Sequence, residues 1–195
     1  MQEGEIFGFL GPNGAGKTTT IRLLLDLLKP TSGNISLFNL PLEKHSCRIR
    51  QKCGYLPGDF SIYGMLTARE FLDYAAKIRN KNRLEADSLI ERFGFQDALP
   101  RKIKQLSHGT RQKLGIIQAF FHQPDLVILD EPTIGLDPLV KEDFYIFIRE
   151  YQQSGKTIFF SSHNLPEVER ICHRIALIRQ GGLIALETID NLKKK

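Results

Sequence analysis

Apolar runs and amphipathic segments alternate along this chain of 195 residues. Short apolar runs predict buried β-strands at 5–10, 53–56, 126–129, 157–160 and 175–178, with a further strand candidate at 34–38. Apolar positions recur at helical spacing over 18–28, 66–78, 84–93, 107–121 and 138–151, which predicts helices there. Because strands alternate with helices at both ends of the chain, we expect an α/β fold with a mostly parallel sheet flanked by helices.

The middle of the chain departs from this alternation. The pattern between residues 59 and 123 is nearly all helical, so we expect a helical insert within the sheet domain. The length suits one domain over 1–195. Its α/β core is predicted at 1–58 and 124–195, and its helical subdomain at 59–123.

Composition narrows the classes of partner. The formal net charge is +5, and Lys193, Lys194 and Lys195 supply much of this excess, so a nucleic-acid partner is not expected. No stretch approaches the roughly 18 apolar residues of a membrane span, so any membrane role would need a span from another chain. The three cysteines have no metal-ligand spacing and fit a reducing cytosol.

A phosphate-binding motif directly follows the first predicted strand. Residues 11–18 read Gly-Pro-Asn-Gly-Ala-Gly-Lys-Thr, which matches G-x-x-x-x-G-K-[ST] between a strand and a helix. Glycines let backbone N–H groups converge on an anion, and the helix N-terminus adds partial positive charge. We expect Lys17 to reach the β- and γ-phosphates and the Thr18 hydroxyl to ligate Mg²⁺. The predicted nucleotide-binding residues are Gly11, Asn13, Gly14, Ala15, Gly16, Lys17, Thr18 and Thr19.

Two carboxylates, Asp130 and Glu131, follow the predicted strand at 126–129. Ligands of α/β sheets gather at the carboxyl ends of the strands. Asp130 is therefore predicted to hold Mg²⁺ beside Thr18. Glu131 points to the other side of the chain and could orient and deprotonate an attacking water. The alternative is an acidic strand-to-loop turn followed by Pro132.

These motifs, with others in a fixed order, carry a family resemblance. After the phosphate-binding motif the chain contains, in order, Leu106-Ser107-His108-Gly109-Thr110, Leu129-Asp-Glu-Pro-Thr, Gly135-Leu-Asp-Pro and Ser161-Ser-His163. Over essentially its whole length the chain resembles an ATP-binding cassette ATPase, the motor subunit of an ABC transporter, which has the P-loop NTPase fold. Gly54-Tyr-Leu-Pro and Leu66-Thr67-Ala-Arg-Glu70 resemble the branch that drives multidrug and antibiotic export.

The resemblance implies roles for residues outside the phosphate loop. Ser107 and Gly109 would lie in a signature motif that contacts the γ-phosphate held by a second subunit. Asp137 would communicate between the paired sites. His163 would be the switch histidine that contacts the γ-phosphate, which makes Glu131, His163 and Lys17 the implied catalytic residues. Without the resemblance, Ser107 is a helix cap and His163 a surface histidine.

The resemblance also implies cofactors, partners and location. It implies ATP and Mg²⁺, a second ATPase subunit as a homodimer or close relative, and a separate multi-span membrane subunit through which hydrolysis drives export. The implied location is cytoplasmic, peripheral on the inner face of the cell membrane. Two alternatives are a soluble cassette ATPase acting on ribosomes or DNA, and a truncated nucleotide-binding fragment without turnover.

The sequence departs from the family pattern in three places. His108 and Thr110 replace the first glycine and the glutamine of the signature motif. Gly58 stands where the family has a glutamine that links the metal site to the membrane partner, and Asp59 or a water is an alternative for that role. No adenine-stacking aromatic precedes the phosphate loop, so the chain looks truncated at its start.

A loop after the third strand is the candidate docking surface for the membrane subunit. The segment 58–70 is apolar for a loop, and exposed apolar patches commonly mark interfaces. The alternative is that its apolar side chains pack as core. The side chains concerned are Phe60, Ile62, Tyr63 and Met65, which surround Gly64.

Overall fold

The computed structural model of the chain describes residues 1–59 and 64–192. Its main strands are β1 (Ile6–Leu10), β4 (Cys53–Leu56), β5 (Leu126–Asp130), β6 (Thr157–Ser162), β7 (Arg174–Arg179) and β8 (Gly182–Thr188). They form one six-stranded sheet in the order β4-β5-β6-β1-β7-β8. A separate antiparallel hairpin consists of β2 (Ser36–Leu37) and β3 (Leu40–Pro41).

The sheet is parallel except at one edge. Strands β4, β5, β6, β1 and β7 pair in parallel, and β8 pairs antiparallel with β7. The register sets Leu10 opposite Ser162 and Asp130 opposite Ser161. The carboxyl ends of β1, β5 and β6 therefore meet at one edge of the sheet, which positions the phosphate loop beside the two carboxylates. The predicted α/β fold with a mostly parallel sheet is confirmed.

Helices and short 3-10 turns connect the strands. The helices are α1 (Lys17–Leu24), α2 (Leu42–Gln51), α3 (Ala68–Ile78), α4 (Asp87–Arg92), α5 (His108–Phe120), α6 (Pro138–Gln153), α7 (Leu165–Ile171) and α8 (Ile189–Leu192). The 3-10 turns are Arg83–Ala86, Gln96–Ala98 and Ile103–Gln105. The predicted helix at 18–28 ends earlier, at Leu24, and the chain turns at Asp26, whose φ is 58°. The strand candidate at 34–38 forms only the short β2.

The predicted helical stretch contains α3, α4 and α5 within its described residues, and its boundaries at 59 and 123 stay a prediction. A capping box starts α3, in which Thr67 Oγ1 accepts from the Glu70 N–H and Glu70 Oε2 accepts from the Thr67 N–H. Helix α5 lies against β4, because a Cβ at Gly54 would be 2.0 Å from the Ala119 carbonyl oxygen. The insert is thus packed on the sheet.

The sheet has a hydrophobic core on each face. One core joins insert side chains such as Leu72 and Phe95 to Leu129 and Phe160 of the sheet. The other packs Ile21 of α1 against sheet residues that include Ile128 and Phe159. Both cores hold the strand ends of the site in fixed positions. Among residues 1–59 and 64–192, no helix has both the length and the apolar character that a bilayer crossing requires.

Candidate nucleotide site

The phosphate loop curves between β1 and α1 at its glycines. Gly14 and Gly16 have φ of 77° and 107°, a left-handed conformation that favours glycine, and Gly16 is the N-cap residue of α1. A Cβ at Gly11 would lie 2.5 Å from the Ile178 carbonyl oxygen, so a side chain there would displace β7. The Ala15 carbonyl accepts from the Gly181 N–H at 2.9 Å. Asn13 and Thr19 are exposed beside the loop.

The Lys17 ammonium is buried over this loop. Its Nζ donates to the carbonyl oxygens of Gly11 at 2.7 Å and Pro12 at 3.2 Å. The same Nζ lies 3.3 Å from Glu131 Oε1. Only 6% of the residue is exposed, so its charge acts in a medium less polar than water. The arrangement places a fixed positive charge between the loop and the end of β5.

Asp130 is held by two hydroxyl groups. Thr18 Oγ1 donates to Asp130 Oδ2 at 2.7 Å, and Ser161 Oγ donates to Asp130 Oδ1 at 3.0 Å. The side chains of Thr18 and Asp130 thus meet, as the sequence predicts. Their oxygens are the hard ligands that Mg²⁺ prefers, and Mg²⁺ is commonly bound by one or two carboxylates plus substrate phosphates. This donor set fits the ion.

Glu131 has an unusual backbone conformation for a residue other than glycine. Its φ is 50°, and its N–H donates to the Ser161 carbonyl at 3.1 Å. Such a conformation costs on the order of 1–3 kcal/mol and persists where the surroundings enforce it. Its carboxylate Oε2 lies 2.9 Å from His163 Nδ1. Its Oε1 is buried and has no hydrogen-bond donor among the described residues, so it is paired with Lys17 through charge alone.

Ser107 and Gly109 lie at the start of α5. Ser107 Oγ accepts from the Thr110 N–H at 3.2 Å and lies 2.8 Å from Thr110 Oγ1, so it caps the helix. A Cβ at Gly109 would be 2.5 Å from the Gly135 carbonyl oxygen. Among the described residues, no hydrogen bond or ion pair joins Ser107 or Gly109 to Lys17 or Glu131. Within one chain, contacts therefore link Lys17 to Glu131, Thr18 to Asp130 and Glu131 to His163. Ser107 and Gly109 take no part in these contacts.

Comparisons with known proteins identify the family. The family model described as "ABC transporter" matches residues 1–134. The chain belongs to the ABC transporter family. It is 37% identical to the ABC transporter ATP-binding protein NatA of Bacillus subtilis, covering 98% of this chain and 80% of NatA. It is 42% identical to the bacitracin transport ATP-binding protein BcrA of Bacillus licheniformis, covering 100% of this chain and 64% of BcrA.

A third relative is longer than the chain. An uncharacterized ABC transporter ATP-binding protein of Nostoc sp. is 41% identical, and the match covers 98% of this chain and 58% of that protein. The chain therefore spans about three fifths of the length of the Nostoc and B. licheniformis relatives. The predicted membership of the ABC transporter family is confirmed.

Solved structures show the same fold. The ATP-binding subunit of an ABC transporter superposes with a TM-score of 0.91 at 32% identity, covering 98% of this chain and 82% of that one. A dimeric post-hydrolysis state of the ATP-binding cassette MJ0796 with ADP and Pi gives 0.89 at 25% identity, covering 97% and 87%. The P-loop NTPase fold predicted from the sequence is confirmed.

Several polar residues around this ABC site were not singled out from the sequence. Ser161 holds Asp130, and the buried Gln112 Nε2 donates to the Pro132 carbonyl at 2.9 Å, which ties α5 to the loop after Glu131. Ser161 is part of the Ser161-Ser-His163 motif, but the resemblance implied a role only for His163. Gln112 lies in the Arg111-Gln-Lys-Leu stretch that resembles the export branch, but no structural role for it followed from the sequence, because its partner lies 20 positions away.

The structure also shows the surroundings of Gly58, of Asp137 and of the candidate docking segment. A Cβ at Gly58 would be 3.5 Å from Asp130 Oδ2, so the backbone there passes beside the Asp130 carboxylate. Asp137 is the N-cap residue of α6 without a side-chain cap hydrogen bond. In the candidate docking segment, Phe60, Ile62 and Tyr63 lie outside the described residues. Met65 is 68% exposed.

Proposed function

We propose that this chain binds and hydrolyses ATP with Mg²⁺ as the ATPase subunit of an export-type ABC transporter. The observation that carries the proposal is the convergence of Lys17, Asp130, Glu131 and His163 at the carboxyl ends of β1, β5 and β6. A charge, a hydroxyl–carboxylate pair and a carboxylate–imidazole pair are the parts that phosphoryl transfer to water requires. Membership of the ABC transporter family supports this assignment.

The residues divide the work of hydrolysis. Lys17, already placed over the loop, would bind the β- and γ-phosphates in place of its contact with Glu131. Thr18 and Asp130 would hold Mg²⁺, which neutralises phosphate charge when bound. Glu131 Oε would take the proton from the attacking water. His163 Nδ1, at 2.9 Å, orients the Glu131 carboxylate and leaves its other ring nitrogen for the γ-phosphate.

A second subunit completes the site in this proposal. Ser107 caps α5 at a helix N-terminus, where backbone N–H groups can bind anions. Among the described residues of the same chain, no hydrogen bond or ion pair joins it to Lys17 or Glu131. The signature of one chain would therefore contact the ATP bound to the other, as a homodimer or with a close relative. The MJ0796 cassette, which is similar over nearly the whole chain, is a dimer in its post-hydrolysis state.

The membrane subunit is the second partner in the proposal. A cleft of about 310 Å³ lies between the core and the insert. It is lined by Leu25 and Leu27 after α1, Tyr55 and Pro57 at the end of β4, and Arg79 after α3. Leu27 is exposed, so an apolar side chain is available to a partner. The chain would work at the inner face of the cell membrane by docking a multi-span subunit beside Gly58.

The test is an assay of Mg²⁺-dependent ATP hydrolysis. The purified full chain is measured alone and in vesicles with the multi-span membrane protein encoded beside it. We expect ATP binding by the chain and stimulation of hydrolysis by the membrane protein. Absence of ATP binding would contradict the site assignment. Stimulation by ribosomes or DNA, with none by the membrane protein, would favour a soluble cassette ATPase.

A further inference from the structure

Glu167 is a buried carboxylate that the hydrolysis mechanism above does not use. It lies in the first turn of α7 and is 8% exposed. Burial of a carboxylate is costly unless hydrogen bonds and opposite charge compensate it. The groups that compensate Glu167 therefore show what holds it in place.

The partners of Glu167 come from three other parts of the chain. Thr133 Oγ1 lies 3.1 Å from both carboxylate oxygens, and Ser162 Oγ donates to Oε2 at 3.1 Å. Lys141 of α6 forms an ion pair with Oε1. The Tyr145 phenol also hydrogen-bonds to Glu167. Burial and the negative charge of Glu167 raise the pKa of Tyr145, so the phenol stays protonated and can donate. The carboxylate thus connects the loop after β5, the end of β6 and helix α6.

Two of these partners adjoin the residues that act on water. Thr133 is two residues after Glu131, and Ser162 directly precedes His163. Ser162 Oγ also accepts from the Asn164 N–H at 3.0 Å, so one hydroxyl connects the peptides on both sides of His163. Both hydroxyl-bearing residues are buried. The segments that carry Glu131 and His163 are therefore joined through Glu167, in addition to the pairing of β5 with β6 and the contact between their own side chains.

We propose that Glu167 is a positioning residue, which fixes the distance between Glu131 and His163 by holding Thr133 and Ser162 on one carboxylate. This inference rests on the proposed ATPase function, in which that pair acts on the attacking water. Glu167 acts on the hydrolytic step because its partners lie on the Glu131 and His163 side of the site. Among the described residues, no hydrogen bond or ion pair joins Glu167 to the phosphate loop, and the loop reaches this cluster only where the Gly11 N–H donates to the Ser162 carbonyl at 3.3 Å.

The kinetic test compares the parent chain, Glu167→Gln and Glu169→Gln. Glu169 is on the same helix and outside the cluster, so it is the matched control. We expect Glu167→Gln to lower kcat on the order of tenfold to a hundredfold, since small misplacements of reacting groups have effects of this size. The KM and the Kd for ATP should change less than about twofold, and Glu169→Gln should behave as the parent.

A second pair of variants guards against loss of folding. Thr133→Ser keeps the hydroxyl that donates to Glu167, and Thr133→Val removes it at similar size. We expect Thr133→Val to lower kcat and Thr133→Ser to restore most of it. A parent kcat in both Glu167→Gln and Thr133→Val would overturn the inference while leaving the ATPase proposal intact.

A spectroscopic measurement tests the inference without turnover. The Nδ1 resonance of His163 in the ¹⁵N-labelled full chain reports its hydrogen bond to Glu131, and Glu131→Ala defines the resonance without that bond. We expect Glu167→Gln to move the resonance toward the Glu131→Ala position, and an unmoved resonance would overturn the inference. If the parent hydrolyses no ATP, the ATPase proposal fails, and this measurement still decides whether Glu167 positions His163.

Discussion

Glu131 and His163 are joined by a 2.9 Å contact between Oε2 and Nδ1 across the ends of β5 and β6. The opposite carboxylate oxygen lies 3.3 Å from Lys17 Nζ. The backbone of Glu131 is left-handed, with a φ of 50°, and its carboxylate reaches both of these partners. The Glu131 carboxylate therefore lies between Lys17, which would bind the phosphates, and His163, which would contact the γ-phosphate.

Glu131→Gln should lower ATP hydrolysis by roughly 10²–10⁴, the usual contribution of a positioned base, because the amide keeps the shape but accepts no proton. ATP binding should persist, since Lys17 and the loop are unchanged. The measurement is steady-state hydrolysis together with titration of labelled ATP. Glu43→Gln, at an exposed position on α2, is the control. Hydrolysis at the parent rate in Glu131→Gln would show that another group is the base.

Lys17→Ala should abolish tight ATP binding. The ammonium that would pair with the β- and γ-phosphates is lost, and Glu131 keeps its negative charge without the pairing cation, which repels phosphate. Titration with labelled ATP checks this, with Lys44→Ala on the exposed side of α2 as the control. Retained affinity in Lys17→Ala would place the nucleotide elsewhere.

The sequence predicted most of the sheet because its strands are short buried apolar runs. It missed β8, since nearly all of this edge strand is exposed and its apolar residues follow no clear alternation. It missed α2, whose buried residues are only Leu42 and Ile49 and which is interrupted by a non-helical His45. Local pattern carries little information where so few side chains enter the core.

The site was predictable where its residues are adjacent in sequence. The phosphate loop and the Asp130–Glu131 pair form local motifs, so their meeting followed from strand order alone. The Glu167 cluster joins Thr133 to a carboxylate 34 positions away, and no local spacing indicates such a pairing. The roles of Ser107 and Gly109 depend on a second chain, and they stay predictions.

Turnover should require two chains that are both competent. When Glu131→Gln chains are mixed with parent chains, activity should fall more steeply than dilution alone predicts, because mixed pairs would carry an inactive site. The measurement is ATP hydrolysis at constant total protein over a series of mixing ratios. Lys44→Ala chains in the same series control for handling. Full turnover by a chain shown to be monomeric would contradict the paired-site proposal.

Acidification should destabilise the fold through His122. Burial, followed by the Arg79 charge, lowers the pKa of this histidine to about 4 from its usual 6.5. Its Nε2 lies 3.2 Å from the Cys53 carbonyl, and no residue in the part of the chain that the structure describes hydrogen-bonds to its buried Nδ1. The unfolded chain therefore binds the proton first. The contribution of His122 to stability is complete above pH 6.5 and is lost as the pH falls toward 4.

His122→Gln, which keeps a donor for Cys53 but does not titrate, should remove this dependence. Denaturant unfolding at several pH values between 4 and 6.5 gives the free energy of unfolding of parent and variant. Their difference should change by about 2–3 kcal/mol across that range. Parallel slopes for parent and His122→Gln would show that His122 titrates normally in the fold.

The signature segment of this chain has His108 where the family has glycine, and the ring lies against Gly135. A Cβ at Gly135 would be 2.1 Å from His108 Cδ2, and φ at Gly135 is 77°. Gly155 offers a matched comparison, because its φ is 86° and a Cβ there would meet none of the described residues within 4 Å. Substitution at Gly155 therefore measures backbone strain alone, and substitution at Gly135 adds displacement of the ring.

Gly155→Ala should lower the free energy of unfolding by about 1 kcal/mol from strain at positive φ. Gly135→Ala should cost about 1 kcal/mol more, because the His108 ring must leave its place. In a His108→Gly background the extra cost of Gly135→Ala should disappear, while the cost of Gly155→Ala should stay the same. The interaction free energy between positions 108 and 135 would then be about 1 kcal/mol. Denaturant unfolding of the parent, the three single variants and the two double variants measures these costs. Equal costs of Gly135→Ala in both backgrounds would mean that the His108 ring does not constrain the backbone at Gly135.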